Sequence, residues 1–175
     1  MTTPKATCAG IALIAALYTG VILGLTACTD EADFNAGVAA YNRGDYATAL
    51  REWRPLAKQG HAKAQYNLGF MYALGRDVPQ DYAEAVGWYR KAAAQGYAEA
   101  QNVLGFMYGE GQGVPQDYVQ AHMWLNIAAP RFPPGEHRDN AVNNRDIVAK
   151  RMTPAQKSDA ERLGKEWLVE HPEVR

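Results

Sequence analysis

Four histidines and two cysteines are the side chains best suited to chemistry, and their spacing forms no catalytic or metal-binding motif. No two histidines stand at the i, i+4 spacing that places two metal ligands on one helix face. The chain also has no H-E-x-x-H, G-x-S-x-G, dinucleotide-binding or P-loop pattern. We therefore expect a non-enzymatic protein with no catalytic residue, metal site or cofactor. The residues concerned are His61, His122, His137, His171, Cys8 and Cys28.

Cys28 closes an apolar segment that runs from Ala9 to Ala27, with Lys5 as the only charged side chain before it. Its last four residues, Leu25-Thr26-Ala27-Cys28, resemble the lipobox of bacterial lipoproteins. The resemblance implies that residues 1–27 are a signal peptide and that Cys28 is acylated. It also implies a periplasm-facing membrane lipoprotein of the bacterial cell envelope, in either the inner or the outer membrane.

Two other interpretations of this segment stay open. The apolar run is nearly long enough for a permanent transmembrane helix. The small residues before Cys28 would also suit ordinary secretion with cleavage after Ala27. Lipidation is preferred because a single thiol in an oxidising envelope would otherwise be an unexplained leftover.

Length and charge exclude other classes of function. The chain has 175 residues and a net charge of −1, enough residues for one domain with a sizeable core. A nearly neutral chain offers no electrostatic footprint for nucleic acid or anionic lipid. Because neither cysteine lies beyond residue 28, a disulfide scaffold in the rest of the chain is excluded as well.

The strongest pattern is an internal repeat with an offset of 36 residues. Residues 62–97 and 98–133 align without a gap, and 18 of the 36 positions are identical. A period of this length indicates stacked helical hairpins in which each unit packs on its neighbours. A degenerate first unit precedes them, because Asp45-Tyr46-Ala47 echoes Asp81-Tyr82-Ala83.

Within each unit, the residues predict a first helix A, a turn and a second helix B. In the second unit we expect helix A from about Ala62 to Leu74, a turn over 75–80 and a helix B after Asp81. Gly75 and Gly111 fit left-handed C-caps, and the prolines that follow break the helix. In the first unit we expect helices over about 32–41 and 46–59, and two more after residue 135. The packing face of helix A is predicted to comprise Ala64, Gln65, Leu68, Gly69, Met71 and Tyr72, and that of helix B to comprise Tyr82, Ala85, Tyr89, Ala92 and Ala93 with Trp88 at its margin.

Twelve positions that recur 36 residues later give this pattern a family resemblance. The pattern resembles the Sel1-like repeat, which is related to the tetratricopeptide repeat. The resemblance implies an all-α protein, a short right-handed α-solenoid with C-terminal capping helices, whose A helices line a concave partner-binding side. The turn 111–114 keeps the family's G-x-G-V, whereas Asp77 replaces the second glycine in the turn 75–78. The twelve are Ala64, Gln65, Leu68, Gly69, Tyr72, Gly75, Val78, Asp81, Ala85, Trp88, Ala92 and Ala93.

The chain accordingly divides into four parts. We expect a signal peptide over 1–27, a short tether over 28–33, a repeat solenoid over 34–130 and capping helices over 131–175. The three units of the solenoid would cover about 34–61, 62–97 and 98–130.

An aromatic surface on the A helices is the candidate partner-binding site. On a helical wheel Phe70 lies opposite the packing face of its helix, and Phe106 repeats it in the next unit. Exposed aromatic side chains in a groove are good anchors for a partner. The alternative is that each phenylalanine packs on the helix of a neighbouring unit. The candidate residues are Lys63, Tyr66, Phe70, Glu99, Asn102 and Phe106.

The predicted function is a non-enzymatic protein–protein interaction adaptor of the bacterial cell envelope, which binds an unknown protein or peptide and reaches the membrane through its lipid anchor. A ligand-binding or enzymatic accessory acting on cell-wall material is the first alternative, and a structural spacer is the second. An enzyme would need converging ionisable groups in a pocket, and the spacing of the sequence offers none.

Overall fold

The structure is a computed structural model that describes residues 22–174, with side chains described for 30–172 and 174. Within that part of the chain there are eight α-helices and no strand. Consecutive helices from α1 to α7 pack against each other, whereas α8 packs on α6. The helices are α1 (Ile22–Asn42), α2 (Tyr46–Lys58), α3 (Ala62–Leu74), α4 (Tyr82–Ala94), α5 (Ala98–Glu110), α6 (Tyr118–Ala128), α7 (Glu136–Ala149) and α8 (Pro154–Glu170).

The predicted repeat is confirmed, with α1, α3 and α5 as A helices and α2, α4 and α6 as B helices. Helix α3 has the expected bounds, and Gly75 and Gly111 end α3 and α5 with left-handed φ angles of 64° and 69°. Each B helix is capped by an aspartate, since Asp45, Asp81 and Asp117 accept backbone N–H bonds from its first turn. These local signals place the helix ends because they satisfy groups that the helix itself leaves unpaired.

The core lies between the A and B helices of each unit and between successive units. The predicted packing face of α3 is confirmed, because Ala64, Leu68 and Met71 are at most 1% exposed. The corresponding side chains of α5 are equally buried, and they join one apolar cluster with α4 and α6. Burial of this repeated stripe is the main driving force that stacks one hairpin on the next.

Buried glutamines tie neighbouring units together. The Gln65 side-chain nitrogen donates to the Ala57 carbonyl at the end of α2, at 3.0 Å. One unit later, Gln101 makes the same bond to the Ala93 carbonyl at the end of α4, at 3.1 Å. A repeated glutamine on the packing face is therefore explained by a bond across each unit boundary, which pairs its side-chain nitrogen with a carbonyl near the end of the preceding helix.

Two sequence predictions about the helices are wrong. Helix α1 already includes Ile22, the first residue that the structure describes, so it starts well before the expected position of about residue 32. The backbone of residues 28–33 is part of this helix, and no proline interrupts it. Tyr82, predicted on the packing face of helix B, is 37% exposed. It is the first residue of α4, where the helix has just emerged from the turn, and its hydroxyl accepts a bond from Gln80.

The C-terminal helices cover the last repeat, as expected. Helices α7 and α8 both pack on α6, whose buried side chains lie nearly all around its circumference. Thr153 and Gln156 form a capping box at the start of α8, each bonding the backbone of the other. Ile147 of α7 is 44% exposed. In residues 22–174, no helix has the length and apolar character needed to cross a bilayer.

Candidate functional site

Three of the four histidines have structural contacts that account for them. His61 caps α3 by accepting the Ala64 N–H at its Nδ1, 3.2 Å away. His137 stacks on Phe132, and His171 stacks on Trp167 with ring centroids 4.2 Å apart. Each of these three rings thus serves a local contact in the fold.

His122 is the fourth histidine and is buried in α6. Its ring is 8% exposed, and its Nδ1 has no hydrogen-bond partner among the described residues. Burial lowers the pKa of His122 below the ordinary value, and Arg145 lowers it further. Among the described residues no cluster of histidine, cysteine, aspartate or glutamate could hold a metal ion.

Two adjoining cavities on the A-helix face form a groove, which we call the aromatic groove. The first cavity holds about 390 Å³ and the second about 240 Å³. Tyr66 and Phe70 of α3 line both, so the cavities adjoin at this helix. The first is lined by Phe34, Val38, Tyr41, Trp53, Lys63, Tyr66, Asn67, Phe70 and Tyr97, and the second by Tyr66, Phe70, Ala73, Leu74, Tyr82, Tyr89, Val103, Phe106, Met107 and Gln112.

The two phenylalanines lie on the surface of this groove. Phe70 is 37% exposed and Phe106 is 47% exposed. The Phe70 ring also meets Tyr41 of the preceding A helix, with centroids 6.2 Å apart. Contact with a neighbouring unit and exposure therefore coexist at Phe70. Phe70 and Phe106 occupy equivalent positions in the repeat. Each follows a glycine, Gly69 or Gly105, that faces helix B, and the helical rotation from one residue to the next directs the phenylalanine away from that helix.

Tyrosines stiffen the floor of the groove. The Tyr66 ring lies 5.5 Å from Tyr89 and 5.3 Å from Tyr97, measured between centroids. Burial is the main cause that raises the pKa of all three hydroxyls, that of Tyr97 to about 12, with Glu99 as a second cause for Tyr66 and Tyr97. The groove floor is therefore uncharged at neutral pH and presents ring faces and hydroxyl groups.

The structure brings four of the six predicted residues into the groove. Lys63 lines the first cavity with Tyr66 and Phe70, and Phe106 lines the second. Glu99 and Asn102 line neither cavity; the Asn102 side-chain oxygen is buried without a partner among the described residues.

Sequence reasoning missed the contribution of the first unit and of helix B. Phe34, Val38 and Tyr41 of α1 form one wall, and Tyr82 of α4 lines the second cavity. The signal for α1 was weak because the first unit keeps little of the repeat pattern in its A helix. Tyr82 could have been found from its place at the first turn of a helix, where side chains are seldom enclosed.

A third cavity, of about 450 Å³, lies between α6 and α8 and is separate from the groove. Arg131 lines it and donates bonds to the carbonyls of Ile127 and Val174. Its polar group is thus used to fix the C-terminal segment, and none of the predicted site residues lies there.

Stacked two-helix units with an aromatic groove on one face define an α-solenoid of the helical-repeat class. A family model described as Sel1 repeat matches residues 62–97 and 98–129. A solved Sel1 repeat protein from Oxalobacter formigenes is 31% identical over 73% of this chain and 95% of that one, with a TM-score of 0.60. The chain belongs to the Sel1 repeat family.

A second solved structure extends the comparison. It is c5321, a protective antigen present in uropathogenic Escherichia coli strains that displays an SLR fold. It is 33% identical over 83% of this chain, with a TM-score of 0.74, and this chain spans only 31% of its length. No curated protein matches the chain. Sel1 repeat proteins generally mediate protein–protein interactions, typically as non-enzymatic scaffolds.

Proposed function

We propose that this protein is a non-enzymatic adaptor of the bacterial cell envelope that binds a partner protein or peptide in the aromatic groove, on the concave face of its A helices. The observation that carries the proposal is the exposure of Phe70 and Phe106 beside two adjoining cavities. A folded chain gains stability by burying such rings, so their exposure at one repeated position favours a role in binding.

The lining of the groove agrees with a protein partner. Aromatic rings supply large contact areas at small cost in side-chain entropy, and their hydroxyls add hydrogen bonds at the edge. Lys63 at the first cavity, with its ammonium 5.9 Å from the Phe34 ring, is its one charged lining residue among those described. The bound segment would therefore be held mainly by apolar contacts.

Affinity capture from envelope extracts tests the binding function. The double variant Phe70→Ala, Phe106→Ala should weaken capture by about 2 kcal/mol or more while changing the free energy of unfolding by no more than about 1 kcal/mol. Val169→Ala is a matched control, because Val169 of α8 is 66% exposed outside the groove. A loss of about 3–5 kcal/mol of stability in the double variant would instead make both rings core residues and refute the groove.

The membrane attachment is part of the same proposal. The sequence Leu25-Thr26-Ala27-Cys28 supports acylation of Cys28 with removal of residues 1–27, most of which lie outside the described residues. Cys28→Ala should release the protein from membranes or leave the precursor uncut. Unchanged size together with unchanged attachment would indicate an uncleaved transmembrane segment.

A further inference from the structure

A tyrosine opens every B helix of the solenoid. Tyr46, Tyr82 and Tyr118 are the first residues of α2, α4 and α6, at intervals of 36 residues. Each follows the aspartate that caps its helix. The three rings therefore occupy equivalent places in successive units, and the side chains that contact them can be compared directly.

Arginine covers the first and the third of these rings. The Arg76 guanidinium lies 5.2 Å from the Tyr46 ring centroid. The Arg151 guanidinium lies 5.8 Å from the Tyr118 ring and donates a 3.2 Å bond to its hydroxyl. Both arginines are the second residue after the helix that follows the tyrosine's own helix, α3 after α2 and α7 after α6. In the first and third units the fold thus places an arginine over the tyrosine at the start of helix B, in a cation–π contact.

The middle ring lacks this cover. The second residue after α5 is Gln112, which lines the same cavity as Tyr82. The turn after α5 nevertheless packs closely on the start of α4, because a Cβ added at Gly113 would overlap the Tyr82 carbonyl oxygen. Within the part of the chain that the structure describes, no lysine or arginine lies over the Tyr82 ring, which is 37% exposed, while Tyr46 and Tyr118 are partly buried.

We infer that the second cavity receives an arginine or lysine side chain of the partner protein, which lies over Tyr82 where Arg76 lies over Tyr46. The inference rests on the proposed function and specifies the partner's chemistry. Every residue that lines this cavity is uncharged, and Asp81 and Glu84 flank Tyr82 in the sequence. A cation is favoured by the negative ring face and by these neighbouring carboxylates, whereas an acidic side chain would be repelled.

A pair of peptides tests the inference. The full chain is placed in nanodiscs of neutral phosphatidylcholine, and empty nanodiscs serve as the blank. Fluorescein-labelled peptides carry either arginine or its neutral analogue citrulline between two leucines, and binding is read by fluorescence anisotropy. The arginine peptide should bind roughly threefold to thirtyfold more tightly than the citrulline peptide.

Two variants locate the preference. Gln112→Arg supplies an internal guanidinium of the kind that Arg76 provides, so it should abolish the preference for the arginine peptide. Tyr82→Leu removes the ring and should do the same. Asn140→Arg adds the same charge at an exposed position of α7 outside the groove and should keep the preference.

Equal binding of the two peptides, binding of neither, or a preference that persists in both groove variants would overturn the inference. Capture from envelope extracts separates this failure from failure of the proposed function. If Phe70→Ala, Phe106→Ala loses the captured partner while Gln112→Arg and Tyr82→Leu keep it, the groove binds a partner without a cation at Tyr82.

Discussion

At the scale of single residues, the glycine in each A helix is explained by what lies opposite. A Cβ added at Gly105 would lie 2.5 Å from Leu125 Cγ and 3.1 Å from the Ala121 carbonyl oxygen of α6. Gly69 meets Tyr89 of α4 in the same way, at 2.9 Å. The close contact is thus made within a hairpin, by a side chain that lies over the glycine and by the backbone behind it. The sequence predicted Gly69 on the packing face of helix A, but not the side chain that packs over it.

Gly69→Leu and Gly105→Leu should each lower the free energy of unfolding by about 1–3 kcal/mol through overpacking. Gly87→Leu in α4 is the matched control, because no atom lies within 4 Å of a Cβ added there. It should raise stability by up to about 1 kcal/mol, since leucine is the better helix former. Urea denaturation of the three variants measures the difference. A higher melting temperature for Gly105→Leu would contradict the contact.

His122 predicts a dependence of stability on pH. Because burial lowers its pKa in the folded state, the folded state binds this proton less readily than the unfolded chain does. Stability should be complete above the unfolded pKa of about 6.5 and fall as the pH drops through and below it. Arg145 and Lys157 oppose the charge, while Glu161 and Asp146 favour it to a smaller extent than burial disfavours it.

The measurement compares the parent chain with His122→Gln in urea denaturation between pH 5 and 8. The parent should lose stability relative to the variant as the solution is acidified, because only the parent has this proton to bind. Parallel curves for the two proteins over that range would assign the acid sensitivity to other groups.

At the scale of elements, the two inter-helix turns differ at one position. Asp77 has a φ of 55°, and the glycine at the equivalent place, Gly113, has a φ of 70°. A left-handed conformation is unfavourable for a residue with a Cβ. Asp77→Gly should therefore stabilise the protein by about 1 kcal/mol, measured as a rise in melting temperature.

Gly113→Ala provides the converse of that change. It should destabilise more than Asp77→Gly stabilises, because the new Cβ also meets the Tyr82 carbonyl. If Asp77→Gly lowers the melting temperature, the aspartate side chain must contribute a contact that outweighs its backbone strain.

Local signals predicted most of the elements. Caps such as Asp81 and Thr153 act within a few residues of the chain, so the sequence alone places the helix ends. The exposure of Tyr82 depends on how the next turn lies over it, and the contact of Phe70 with Tyr41 depends on how two A helices stack. Such features are set by contacts between units, which a wheel drawn for one helix does not contain.

At the scale of the whole molecule, α7 and α8 both cover α6. Buried side chains of α6, among them Met123, Trp124 and Ile127, would face water without these two helices. Removal of residues 134–175 should produce aggregation or a cooperative loss of helix, read by size-exclusion chromatography and circular dichroism. A monomer that melts at the parent's temperature would show that the three repeat units need no C-terminal cover.

The residues that line the groove were the part of the structure that the sequence predicted least completely. The repeat predicted Phe70 and Phe106 on one face, because both follow from a single helical period. The wall formed by Phe34 and Tyr41 comes from a unit with a degenerate pattern, and the uncovered ring of Tyr82 depends on a residue in the following unit. A surface assembled from three units is determined by how they stack, which no one unit specifies.

The glutamine bonds at the unit boundaries bear on how fast a partner is captured. Gln65 and Gln101 fasten α3 and α5 to the ends of the preceding B helices, so a change in the curvature of the stack would stretch these bonds. The stacked units should thus resist bending, and the groove of the unbound protein should already have the width that binding requires. Little backbone freedom then remains to be lost on binding. We expect association at rates limited by diffusional encounter and orientation, with differences between ligands expressed in how long each stays bound.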